Sequence, residues 1–203
     1  MNLKKGDTKV NKAMRWRIMS LQAVLIVVLG AAAVFLINEG NFVNSTVHDQ
    51  LAAQQIFFPP ASAVVAGGAL DPAEFSDITQ YAGLPVDSGV TAKAYADGFI
   101  GRHLNTIAGG KTYAQVSSAA QQDPTNTKLA SQKATLFQGN TLRNMLLNAW
   151  GWSTLATYTT YGGDGLVLAA LVVLFALGFE ILAWRREVVA TKVKTAGKLV
   201  PAL

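Results

Sequence analysis

Two stretches of this chain carry almost no charge: Ile18 to Ile37, twenty residues with none, and Gly165 to Ala183, nineteen residues whose one charge is Glu180. A helix rises ~1.5 Å per residue, so each stretch is long enough to cross the ~30 Å hydrocarbon core of a bilayer. Backbone N–H and C=O groups in lipid must find partners within their own segment, which makes a helix the form of an isolated span. The sequence therefore predicts transmembrane helices at 18–37 and 165–184. A core helix of a soluble domain is one competing reading, but such helices rarely hold so long an apolar run. A cleavable signal peptide is another, because a basic segment precedes the first run and Ala31-Ala32-Ala33 offers an A-x-A site. Cleavage there would leave Val34-Phe35-Leu36-Ile37 at the new end. The apolar run passes straight through the site, so retention is expected.

Composition points the same way. Of 203 residues 51% are hydrophobic and 14% charged, against ~25% charged in soluble domains. The chain has no cysteine, which excludes a disulfide scaffold, a thiolate metal site and a cysteine nucleophile. The net charge of +5 is unevenly placed. Residues 1–17 carry a net +5, residues 185–203 a net +4, and residues 38–164 a net −3, with six Lys/Arg against nine Asp/Glu. Basic residues thus flank the outer ends of both apolar runs, where the positive-inside rule counts them. Both termini are expected in the cytoplasm, with 38–164 outside and the protein in the plasma membrane. Trp16 and Trp184 fit an aromatic belt on the cytoplasmic side. The basic tails suit anionic lipid headgroups and give no reason to invoke nucleic acid.

The segment 38–164 reads as a helical domain, because no run alternates as a strand would. Ser45 or Thr46 is expected to cap a helix through His48, Leu51 and Gln55. Asp71-Pro72-Ala73-Glu74 is a helix start, with an N-cap, proline at N1 and glutamate at N3, and its helix is expected to end near Gly83-Leu84-Pro85. From Ser88 to Ala108 an apolar stripe recurs at three- and four-residue intervals, with Tyr95, Phe99, Leu104 and Ile107 inward, ended by Gly109-Gly110. Thr112 can cap a helix that Asp123-Pro124 breaks. A further helix starts at Thr125, with Gly139-Asn140 as a candidate interruption, and Tyr161-Gly162-Gly163-Asp164-Gly165 reads as a turn before the second span. Phe57-Phe58-Pro59-Pro60 cannot be helical. It either lies on the outer leaflet through its two phenylalanines or folds against the domain. The overall expectation is an all-α, two-pass membrane protein. Its divisions are a tail at 1–17, a span at 18–37, an extracytoplasmic helical domain at 38–164, a span at 165–184 and a tail at 185–203.

Motifs for chemistry are weak. Gly110-Lys111-Thr112 resembles the end of a P-loop, but the required first glycine is Asn105 and the segment follows a helix. His48 and His103 stand in no metal-binding spacing. Asp71, Glu74 and Asp77 have the spacing of a helix start, and no G-x-S-x-G is present. Asn44-Ser45-Thr46 matches a glycosylation sequon by pattern alone. No catalytic, cofactor-binding or metal-binding residue is therefore assigned. The residues with a claim to partner contact are Glu180, an ionisable group about one turn inside the second span, and Trp150 and Trp152, in an aromatic-rich segment next to that span. Glu180 can also snorkel and pair with Arg185 or with a base at the foot of the first helix. The tryptophans can equally belong to a core helix. Gly30-Ala31-Ala32-Ala33 and Ala169-Ala170 would permit close helix approach.

Ala94-Tyr95-Ala96-Asp97-Gly98-Phe99-Ile100, His103-Leu104, Gly109-Gly110-Lys111-Thr112-Tyr113, Phe137-Gln138-Gly139-Asn140-Thr141-Leu142-Arg143 and Leu146-Leu147-Asn148-Ala149 together resemble uncharacterised two-helix membrane proteins of actinobacteria. The resemblance spans roughly residues 90–160. It implies a membrane location and an actinobacterial source, and no chemistry. The functional expectation is a non-enzymatic accessory or scaffold protein packing against a partner membrane protein. The alternative is an extracytoplasmic module that binds a small ligand or lipid, ahead of a membrane-bound enzyme.

Overall fold

The computed structural model describes the backbone of residues 12–197 and the side chains of residues 13–190. The tail lysines Lys4, Lys5, Lys9, Lys192, Lys194 and Lys198, expected at lipid headgroups, lie outside the described side chains. All regular elements among the described residues are helical: α1 (Lys12–Ala53), α2 (Pro72–Phe75), α3 (Gly89–Lys93), a π turn (Ala94–Ile100), α4 (Gly101–Ala108), α5 (Tyr113–Gln122) and α6 (Thr127–Gly197), with short 3₁₀ turns at Ala61–Ala63 and Thr79–Tyr81. The chain divides into two compact units. One is 39–159, and the other takes the described residues on either side.

The first unit pairs residues 12–38 of α1 with residues 160–190 of α6. The two segments are antiparallel: Arg15 meets Glu180 and Glu187, the rings of Trp16 and Trp184 lie 6.2 Å apart edge to face, and Ala33 and Ile37 meet Gly163. Both helices are long and apolar enough to cross a membrane, with mean hydropathies of 2.6 and 2.7 over their most apolar windows. Those windows are 6% and 0% buried within the chain. Leu21, Val27, Phe175 and Phe179 all point outward. The expected turn at Tyr161–Gly165 does not form, and α6 runs through it unbroken. The close approach uses Ala33 and Gly163. Gly30 has nothing within contact distance.

The second unit packs the α3–π–α4 run against α6. Lys93 lies over Trp150, Arg143 bonds Asp97, and a Cβ on Gly139 would meet Leu104 at 2.5 Å. Gly139-Asn140 therefore does not interrupt α6; the glycine is where Leu104 enters. Ser88 caps the run through a capping box with Thr91, and Gly109 closes it in the left-handed conformation at φ 58°. In an unbroken α-helix, residues four apart drift by ~40° per step, so positions 92 to 108 taken every fourth would spread over ~160°. The π turn, with its wider i→i+5 winding, takes back much of that drift. Ala92, Ala96, Ile100, Leu104 and Ala108 are all buried as a result, and Ile107, expected inward, is 41% exposed.

Other local signals behave as their chemistry dictates. Asp71 caps α2 by accepting from Ala73 N, but α2 ends at Phe75 and a separate 3₁₀ turn covers Thr79–Tyr81. Thr112 caps α5 through a capping box with Gln115, and Asn126 Oδ1 accepts from Leu129 N at the start of α6. Ser45 and Thr46 cap nothing: α1 continues through them, and their hydroxyls donate back to the Phe42 carbonyl, as such residues do inside helices. The Phe57–Pro60 loop folds into the unit by one residue. Phe58 is buried, stacked on Tyr81 at 5.3 Å and edge-on to Tyr95 at 5.0 Å, whereas Phe57 is exposed. From Tyr95 the rings continue through Phe99 and His103 to Phe75, and this chain of rings forms one side of the core.

Candidate functional site

The second unit carries two concavities of different chemistry. An apolar groove of about 550 Å³ runs between the C-terminal part of α1 and α6, lined chiefly by Val47, Leu51, Ile56, Leu142, Met145 and Trp152. No charged residue lines it; its polar rim is Gln50, Gln54 and Asn148. Met145 and Trp152 are more than half exposed.

The other is a polar cleft of about 560 Å³ between α4, the start of α5 and α6, with Arg102, Lys111, Arg143, Glu74 and Asp97 among its lining residues. Its ion pairs are built by the π turn and α4. Asp97 accepts from Lys93 at 2.6 Å and from Arg143 at 2.7 Å. The Lys93 bond first, and then Arg143, hold its carboxyl below the usual carboxylate range. Arg102 makes a bidentate pair with Asp77 at 2.8 Å, donates to the Glu74 carbonyl and lies over the Phe75 ring. That pair lowers the pKa of Asp77 and raises that of Arg102. Asp71 is held low by the N–H groups of Gly67 and Ala73.

The residues singled out in the sequence are dispersed. Trp150 and Trp152 diverge, as residues two apart on a helix must: Trp150 lies under Lys93, and Trp152 lines the groove. Glu180 belongs to the helix pair, 3.5 Å from Arg15 Nε, while Arg15 also makes two bonds to Glu187 at 2.7 and 3.0 Å. Its ion pair is therefore within the chain. His48 Nδ1 lies 2.8 Å from the Asp87 carbonyl and His103 is stacked between Phe75 and Phe99, so the histidines serve separate packing sites. Among the described residues no group of three His, Asp or Glu side chains is placed to hold a metal ion. Asn44 of the sequon accepts from Ser153 inside a helix contact. Sequence reasoning missed the cleft, because its bases come from three elements and share no motif. Lys111 reached attention only through its P-loop likeness. The chain was compared with protein-family descriptions, curated proteins and solved structures, and none of them matches it.

Proposed function

We propose that this chain is an integral plasma-membrane protein of accessory or scaffold type. Its termini are cytoplasmic, residues 38–164 lie outside, and it acts by docking a partner membrane protein rather than by chemistry. The observation that carries this reading is the apolar side of α6 in the second unit. Leu142, Met145, Trp152 and Leu155, spaced three, seven and three residues apart, follow one side of that helix and are exposed. Contiguous apolar surface of this kind marks interaction sites. The polar side chains support the same reading. Asp71, Asp77, Asp97, His48 and His103 each hold a cap, an ion pair or a packing contact.

The test is site-specific photocrosslinking in the intact membrane. A photoreactive residue replacing Met145 or Trp152 is expected to capture one discrete protein, and the same residue at Phe57 is not. Absence of any adduct at 145 and 152, or equal capture at 57, overturns the reading. Reporters fused after Gly110 and at the C-terminus check the orientation: a reporter active only outside the cytoplasm should work at the first position and fail at the second.

A second reading rests on the groove itself. Its volume lies within the ~300–1,000 Å³ of ligand sites, and its uncharged lining with an amide rim suits an apolar molecule with a neutral polar head. Mass spectrometry of lipid retained by the purified protein separates this from protein docking.

A further inference from the structure

We infer that the polar cleft between α4, the start of α5 and α6 is a binding site for an anionic solute, engaged through carboxylate or phosphate oxygens by Lys111, Arg143, Asn105 and Asn140. The inference does not rest on the docking reading, which concerns the groove.

Residues 39–159 hold six Lys/Arg against eight Asp/Glu, so the unit is acidic as a whole. Three of those six bases, Arg102, Lys111 and Arg143, line this one cleft. Two of the acids beside them are already engaged. Asp97 uses one oxygen for Lys93 and the other for Arg143, and Asp77 is bidentate with Arg102. Glu74 is the lining carboxylate without a hydrogen bond, and it lies in the field of Arg102.

Arg143 has five N–H donors and spends one, on Asp97. Its Nε–H is buried without an acceptor. The Lys111 ammonium and the Asn105 and Asn140 side-chain amides line the same space with no hydrogen-bond partner among the described residues. The first turn of α5 also opens there: Thr112 and Gln115 satisfy each other through the capping box, whereas the N–H groups of Tyr113 and Ala114 have no intrahelical acceptor. A helix end alone would specify nothing. Here it adds to side chains that offer donors in excess of acceptors, and such a surface selects a ligand rich in acceptors. The volume exceeds that of a bare ion, which favours an organic solute bearing the anionic group.

Full-length protein in detergent is to be titrated with sodium phosphate and, separately, sodium succinate, against sodium chloride at matched ionic strength, reading the thermal unfolding midpoint. A saturable rise with phosphate, succinate or both is expected, and the arm that responds identifies the anion. The variant Lys111→Glu/Asn140→Asp leaves the Arg143–Asp97 pair and the Thr112 cap in place. It is expected to unfold at the wild-type midpoint in chloride and to bind at least ten-fold more weakly. No rise with either anion overturns the inference. So does a rise that persists undiminished in the variant, which would be a general salt effect on the folded state.

Discussion

Gly163 lies so close to Ala33 that a Cβ added to it would come 3.0 Å from the Ala33 carbonyl oxygen, and 2.6 Å from Ile37 Cγ1. Ala33 is itself fully buried. Two helices whose outward faces are apolar gain nothing from hydrophobic burial against each other in lipid, so close packing of small residues holds the pair. Gly163→Val is expected to destabilise the protein by about 1–3 kcal/mol through overpacking. Gly165, with nothing within 4 Å, is the control: Gly165→Ala should be neutral or stabilising by up to ~1 kcal/mol. Heating curves of both variants in the same detergent check this. Equal midpoints would show that the contact does not hold the pair.

Arg15 is the shared base of two carboxylates, Glu180 and Glu187. Neutralising one acid leaves the other in place, so Glu180→Gln is expected to cost under ~1 kcal/mol, the range of polar contacts between membrane helices. Arg15→Leu leaves both carboxylates without that cation and should cost more than either acid variant alone. Midpoints of the single variants and of Arg15→Leu/Glu180→Gln test the coupling. A specific co-purifying protein that disappears in Glu180→Gln at normal membrane level would instead make Glu180 a partner contact.

Helix starts were legible in the sequence because their signals are local. Asp71-Pro72 and Thr112 each place a short polar side chain against N–H groups two or three residues on, and each caps as expected; Ser88 does the same at the start of the stripe, where no cap was expected. Glycine was ambiguous because its two uses depend on what lies opposite. Gly109 ends a helix in the left-handed conformation. Gly139 and Gly163 sit inside α6, where Leu104 and α1 come too near for a side chain. Nothing within a few residues of either glycine distinguishes these cases. The π turn was likewise illegible: the stripe at 92, 96, 100, 104 and 108 shows its four-residue spacing plainly, but an α-helix with an exposed Ile107 and one with a buried Ile107 read alike. The cleft depends on pairing Asp97 with Arg143 across 46 positions, which no spacing rule reaches.

Phe57 and Phe58 are chemically identical neighbours with opposite environments, which makes them a test of the second unit's core. Phe58 is 2% exposed between Tyr81 and Tyr95. Phe58→Ala should cost ~3–5 kcal/mol through lost transfer energy and the cavity left behind. Phe57→Ala should stay within ~0.5 kcal/mol, as exposed substitutions do. Folded yield and urea midpoints measure the difference. Similar losses for the two would place the loop elsewhere.

Acid should weaken the second unit through its aspartates. Asp97 is held low by Lys93 and Arg143, Asp77 by Arg102, and Asp71 by backbone N–H groups. In the unfolded chain each titrates near ~3.9, so around that pH the native state binds fewer protons than the unfolded state. The stabilisation they provide is therefore fully present above about pH 5, and it is lost as pH falls through the lowered folded-state values. The Asp97 and Arg143 side chains are 36% and 35% exposed, which limits the pair to the ~0.2–1 kcal/mol of solvent-screened ion pairs. Asp97→Asn should thus lower stability by up to about 1 kcal/mol at pH 7. The gap between variant and wild type should narrow as the pH falls below the unfolded-state value, because the unfolded chain takes up the proton first. Urea unfolding of both proteins in detergent at pH 7, 5 and 3 provides the measurement. A gap of the same size at pH 3 and pH 7 would mean that the ionised carboxylate is not what holds α6 to the π turn.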